Sequence, residues 1–284
     1  MALEVRPVSA ALGAEIIGAD LTQPDDDEQF ETIRQALLDY NVVVIRDQQI
    51  SPADHAAFSG RFGVLELHVL NQFLLPEQPE VLVLSNKRIN GVPVGLQDAG
   101  REWHSDLSYM RLPSLGSLLY ALEIPPTGGD TLFANLYSAY ETLSPEMKER
   151  VEGLRLRHSY ADFINRRFQE SAMERPTLTA EQAAKVPTAV HPLVRTHPET
   201  GRKALYVSPS LVAGIEGMDD AEGKALLQEL NDHATQPEFV YRHVWRLHDI
   251  VFWDNRCTLH LATAFDPKYT RHMHRTTIQG DLPV

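Results

Sequence analysis

Two periodicities divide the chain. Near the N-terminus, Phe30, Ile33, Leu37 and Leu38 recur at helical spacing and run straight into Val42, Val43, Val44 and Ile45, which predicts a helix followed by a buried strand. Ser51-Pro52 sets a capping residue before a proline suited to the first helical turn, and Phe58 and Phe62 then share one face of a second helix that Gly63 ends. From Val81 onward the apolar runs become short and are separated by turn residues: 81–84, 115–122, 131–133, 239–244, 250–253 and 272–278. That spacing predicts a mainly β fold, a sandwich or jelly roll. Helical stretches at 136–143, after Ser144-Pro145, and between Asp219 and His233 are expected to flank the sheets from outside.

There is no internal repeat, low-complexity segment or linker, so residues 1–284 are expected to form one unit. Hydrophobic residues make up 43% and charged residues 23%, enough for a sizeable core and unlike a disordered chain. The net charge of −13 argues against nucleic-acid binding through a global field, although a local cationic pocket stays open. Cys257 is the only cysteine, which excludes an intrachain disulfide, and no run approaches the ~18 apolar residues of a membrane span. Together with an N-terminal stretch lacking signal-peptide character, this leads us to expect a cytoplasmic protein. The segment 86–101 is polar, holds three glycines and precedes the most chemical part of the chain; it reads equally as an active-site loop and as a plain solvated connection.

In Trp103-His104-Ser105-Asp106, the imidazole and the carboxylate are two residues apart, and on an extended segment such positions share a face. They could therefore meet one metal, and His260, after Trp253-Asp254-Asn255-Arg256 in a strand-turn-strand context, is the candidate for a third ligand. Two histidines and a carboxylate on one face of an octahedron form the ligand set of iron(II) oxygenases. Further on, Arg271, Met273 and Arg275 alternate with His272 and His274. As a strand, this run sends two guanidinium groups to one side about 13 Å apart, which suits two separate anions. The competing readings are a His272/His274 metal pair and an edge strand with solvated charges. Thr131, after Gly128-Gly129-Asp130, is placed either to offer its hydroxyl to an anion or simply as a β-former.

These motifs occur in one order along the chain: Leu12-Gly13-Ala14-Glu15-Ile16, Val44-Ile45-Arg46-Asp47-Gln48, Trp103-His104-Ser105-Asp106, Gly128-Gly129-Asp130-Thr131, Trp253-Asp254-Asn255-Arg256 and His274-Arg275. In this the chain resembles the iron(II)/2-oxoglutarate dioxygenases that include taurine dioxygenase and 2,4-dichlorophenoxyacetate dioxygenase, the TauD/TfdA family, over nearly its whole length. The resemblance implies a double-stranded β-helix (jelly-roll) core. It implies iron(II) on His104, Asp106 and His260, and the distal carboxylate of 2-oxoglutarate on Thr131 and Arg271. It also implies a substrate anion on Arg275, with His68 and Asn71 nearby.

The implied reaction consumes 2-oxoglutarate and O2, hydroxylates a small anionic substrate, and releases succinate and CO2. Asn71 stands where the taurine enzymes carry a tyrosine and Gly100 where they carry an asparagine, which points away from taurine itself. The resemblance further implies a homo-oligomer, a dimer or tetramer. Two other classes compete with it: a zinc hydrolase using the same three ligands, and a non-catalytic metal- or ligand-binding module.

Overall fold

The computed structural model describes residues 3–23, 25–97, 99–170 and 178–284, the side chains of 167–170 excepted. The strands that position the site are β1 (Glu4–Pro7), β2 (Ala14–Ile17), β3 (Val42–Ile45), β4 (Gln78–Ser85), β5 (Ser114–Glu123), β6 (Thr131–Asn135), β7 (Val240–His243), β8 (Ile250–Asp254), β9 (Thr258–Ala262) and β10 (His272–Gln279). The helices are α1 (Asp27–Tyr40), α2 (Pro52–Gly60), α3 (Leu136–Glu141), α4 (Pro145–Val151), α5 (Tyr160–Glu170), α6 (Ala180–Lys185) and α7 (Asp220–Ala234). An eight-stranded sheet runs β1-β2-β3-β8-β5-β10-β4 and ends on the short strand Leu74–Leu75, while a three-stranded sheet runs β7-β6-β9. All pairings in these two sheets are antiparallel except β2 with β3.

Strand alternation explains why the strands are apolar on both faces. Val42 and Val44 of β3, Leu119 and Ala121 of β5, Val251 and Trp253 of β8, and Met273 of β10 turn one way and pack with Phe133 of β6. Their neighbours Val43, Ile45, Leu118, Tyr120, Ile250, Phe252 and Ile278 turn the other way, onto Ile33 and Leu37 of α1 and Phe58 of α2. The large sheet is thus covered by the small sheet on one side and by helices on the other. Each such fully buried side chain contributes about 1.5–3 kcal/mol.

The helix ends follow their caps. Asp26 accepts from the Gln29 amide at the start of α1, and Asn41 closes it in the left-handed region at φ 65°, its N–H reaching Leu37 O at 2.8 Å. Ser51 and Asp54 form a reciprocal capping box over Pro52. This helix stops at Gly60, three residues short of the expected Gly63, because the chain tightens into successive short turns through Arg61 N–Phe58 O and Gly63 N–Gly60 O. Phe239 belongs to a 3-10 turn, and the strand expected at 239–244 is confined to 240–243. The hairpin β1–β2 was not expected from the pattern: its strands have four residues each, and the first is nearly all exposed.

Candidate active site

The two histidines of the triad are joined through the main chain before their side chains meet. His104 N donates to His260 O at 3.1 Å and His260 N to His104 O at 2.8 Å, a single bridge that lays the segment before Asp106 beside β9. The imidazoles come to 4.0 Å between ring centres. Two residues on, Asp106 reaches the same point: its carboxylate oxygens lie 3.8 Å from His104 Nε2 and 3.7 Å from His260 Nε2. The three ligating atoms all fall within 4.8 Å of one another.

The surroundings fix how each group presents itself. His104 Nδ1 lies 2.9 Å from the Glu102 carbonyl, to which it donates, leaving the Nε2 lone pair toward Asp106. Trp253 packs against the His260 ring at 4.7 Å. Ser117 Oγ donates to Asp106 Oδ2 at 2.8 Å, and Asn255 Oδ1 accepts from the Asp106 amide at 3.1 Å while its own amide holds Ser114 and Ser117. Burial alone would raise the Asp106 carboxyl, yet the charge of Arg275, with the hydrogen bond from Ser117, holds it well below the usual carboxylate range. Burial pushes both imidazoles down, so the set is one carboxylate and two neutral histidines, the forms that bind a metal.

A second group, His197, Asp254 and Cys257, also clusters closely. Its chemistry differs. Arg256 grips both oxygens of Asp254 at 2.9 and 2.6 Å, His197 adds a third contact at 3.1 Å, and burial drives the Cys257 thiol well above its usual value. These residues form a structural ion-pair network behind the triad, with Asp254 already saturated.

Arg271, just before β10, and Arg275, within it, open onto one inner cavity with Thr131, His104 and His260. Thr131 Oγ1 accepts from Trp245 Nε1 at 3.0 Å, which leaves its own proton to donate. Burial, with Arg101 beside it, pushes the Arg271 guanidinium down to about 10 against the opposing pull of Asp130. Its Nε is buried without a partner. A buried cation of this kind is built to receive an anion. The glycine turn before Thr131 serves the same approach: a Cβ on Gly129 would meet Arg271 Cδ and Nε at 3.4 Å, at φ +71°. His272 and His274 turn to the opposite face of β10, 5.3 Å apart, and with no third ligand among the described residues they do not form the alternative metal pair.

An outer cavity, open to solvent, adjoins the triad. His68 lines it. Burial lowers its ring to about 3, with Arg275 adding to the shift and Asp106 opposing it; Nδ1 accepts from Leu70 N at 3.1 Å, so the neutral ring carries its proton on Nε2. Arg275 lines it too, and donates through Nη1 to Asp106 Oδ1 at 2.8 Å, a contact that the sequence did not suggest. Asn71 is exposed at the start of the 3-10 turn Asn71–Phe73 and is not among the residues that line this cavity. The wall is instead aromatic. Tyr109 stacks on Tyr160 at 4.5 Å, and Phe163 follows on the next turn of α5. The spacing of Tyr160, Phe163 and Ile164 was the available signal for this helix.

The family model for the taurine catabolism dioxygenase TauD, TfdA family, matches residues 4–277. The chain belongs to the TauD/TfdA family. It is 37% identical over 285 residues to pentalenolactone F synthase of Streptomyces avermitilis, covering 97% of this chain and 93% of that one. It is 34% identical to the 2,4-dichlorophenoxyacetate dioxygenase of Cupriavidus pinatubonensis, with all of both chains covered. Among solved structures, a taurine dioxygenase from Burkholderia xenovorans superposes with a TM-score of 0.83 at 38% identity, covering 100% and 91% of the two chains. AAD-2 in complex with Mn(II) and N-oxalylglycine superposes at 0.80 with 34% identity and 99% coverage of both.

This TauD/TfdA member is therefore a 2-oxoglutarate-dependent dioxygenase, and its paired sheets are the double-stranded β-helix of that family. The hydrolase and non-catalytic readings fall away. The donor set fits the family's iron: one carboxylate, two neutral imidazoles, His104 with its tautomer fixed, and a small cavity with a buried arginine beside them.

Proposed function

We propose that the chain hydroxylates a small organic anion, such as a sulfonate, a sulfate ester, a phenoxyalkanoate or another carboxylate. In this reading His104, Asp106 and His260 hold iron(II), Thr131 and Arg271 hold the distal carboxylate of 2-oxoglutarate, and Arg275 and His68 face the substrate. The observation that carries it is the charge balance of the two joined cavities. A ferrous ion, Arg271 and Arg275 outweigh Asp106 by more than the two carboxylates of 2-oxoglutarate cancel, while Glu102 is already paired with Arg166 at 3.1 Å. The surplus favours an anion in the outer cavity.

Iron(II), when bound with 2-oxoglutarate and O2, supplies the oxidising chemistry. The residues of the chain do the rest. Thr131 and Arg271 orient the cosubstrate from its far end, and Tyr109, Tyr160 and Phe163 exclude water and hold the substrate's apolar body. The segment 86–101 is assigned as a closing loop: its hairpin Arg88–Ile89/Val92–Pro93 projects outward, while Leu96, Ala99 and Gly100 line the outer cavity. Residues 1–284 then act as one catalytic domain.

No described helix is long and apolar enough to cross a membrane, and the buried free thiol of Cys257 suits a reducing, cytoplasmic compartment. Assembly as a dimer or tetramer is carried over from the resemblance and is measured by light scattering. The decisive assay is succinate release with iron(II), 2-oxoglutarate and O2 over a panel of these anions and neutral analogues. Release stimulated by neutral analogues as strongly as by anions would overturn the substrate class.

A further inference from the structure

Arg275 is placed for more than the substrate. Its side chain is buried, its Nη1 lies 2.8 Å from Asp106 Oδ1, and its Nε has no partner. Ser117 holds the other oxygen of Asp106 at 2.8 Å. Both oxygens of the carboxylate thus accept a hydrogen bond, one from a neutral hydroxyl and one from a full positive charge. A cation coordinated by Asp106 must share this carboxylate with Arg275 and sit within a few ångströms of a like charge.

We propose that Arg275 is a positioning residue that sets how tightly the site holds its metal. It is the counter-ion of Asp106 in the metal-free protein and a repelling charge in the loaded one. This rests on the assignment of His104, Asp106 and His260 as metal ligands. Both effects act in one direction. In the metal-free state the guanidinium spares Asp106 the cost of lying buried and uncompensated; in the loaded state it opposes the incoming charge. An anion meeting the free edge of Arg275 cancels part of that opposition, so anion and metal each strengthen the binding of the other.

The test is the affinity of the EDTA-stripped protein for Co(II), read from its visible absorbance in competition with a chelator, with no turnover involved. Arg275→Gln is expected to bind Co(II) at least tenfold more tightly than wild type, a part of the roughly thousandfold that a unit charge about 4 Å away carries at an effective dielectric of about 20, the rest being taken up by the substituted amide and by relaxation around it. Arg275→Lys keeps the charge and should stay close to wild type, and Ser117→Ala, which removes a neutral donor, should bind no more tightly. Equal or weaker binding by Arg275→Gln would overturn the proposal, as would equal tightening by the Lys variant. If the Gln variant folds only with metal, it is purified with Co(II) and its release to EDTA is timed; slower release than wild type supports the proposal, and equal or faster release overturns it. A wild-type protein that takes up no Co(II) would instead overturn the metal-site assignment, and the proposal with it.

Discussion

Gly100 stands against the metal site, where an added Cβ would press on His104, and its replacement by alanine tests how rigidly the triad is held. An added Cβ would lie 3.1 Å from His104 Cε1, inside the ~3.5–4.0 Å of ordinary carbon contact. The imidazole cannot simply swing away, because Nδ1 is tied to the Glu102 carbonyl and the residue's N–H and C=O are both bonded to His260. The backbone adds its own cost: Gly100 has φ +74°, where an L-residue loses about 1–2 kcal/mol, partly offset by a less flexible unfolded chain. Gly100→Ala should therefore lower the thermal midpoint of the stripped protein by roughly 2–4 °C. By tilting His104 off its bearing it should also weaken Co(II) binding about tenfold. Calorimetry and the chelator competition measure the two effects. A variant with wild-type metal affinity would show that His104 yields freely and that the clamp inferred from its hydrogen bonds is not one.

Thr131→Val removes a hydroxyl at nearly constant volume, and should raise the KM for 2-oxoglutarate about five- to tenfold with little change in kcat at saturation; an unchanged KM in the succinate assay would count against the anion role. Arg271→Gln should raise the same KM roughly a hundredfold, since it leaves a buried carboxylate unpaired. His55 and His158 are buried, and burial pushes each down to about 3. The unfolded chain protonates them below about pH 6.5 and the native protein does not, so stability is full above that pH and falls as the pH drops toward 3. Each histidine costs about 1.4 kcal/mol per pH unit, and a thermal midpoint that is flat between pH 6.5 and 4.5 would refute the assignment. Asp254→Asn breaks the buried network with Arg256 and His197 and should cost about 3–5 kcal/mol, seen as a loss of midpoint in urea.

The parts of this molecule that the sequence announced are those in which one short segment carries both geometry and chemistry. His104 and Asp106 two apart, the alternation from Arg271 to Arg275, and the β-branched run at Val42 all translate directly into faces, and the structure keeps each of them. What stayed hidden depends on contacts between distant segments. The sequence holds no sign that Arg275, 169 residues beyond Asp106, bonds to it, or that α5 brings Tyr160 onto Tyr109. Asn71 opens a short 3-10 turn and lies exposed, and no periodicity registers such a turn. The exchange of asparagine for Gly100 was legible as a change of pocket, but not as a residue in the left-handed region, a conformation that both types tolerate.

The main-chain bridge between His104 and His260 has a consequence for how such a protein can change over time. The spacing of two ligands is written into backbone hydrogen bonds, so it does not depend on which side chains surround the cavity beyond them. Tyr109, Tyr160, Phe163 and Leu211 belong to the wall and not to the clamp, and drift at these positions can retune what is oxidised while the oxidising centre is inherited intact. A mutational library confined to them explores new substrates without gambling the chemistry.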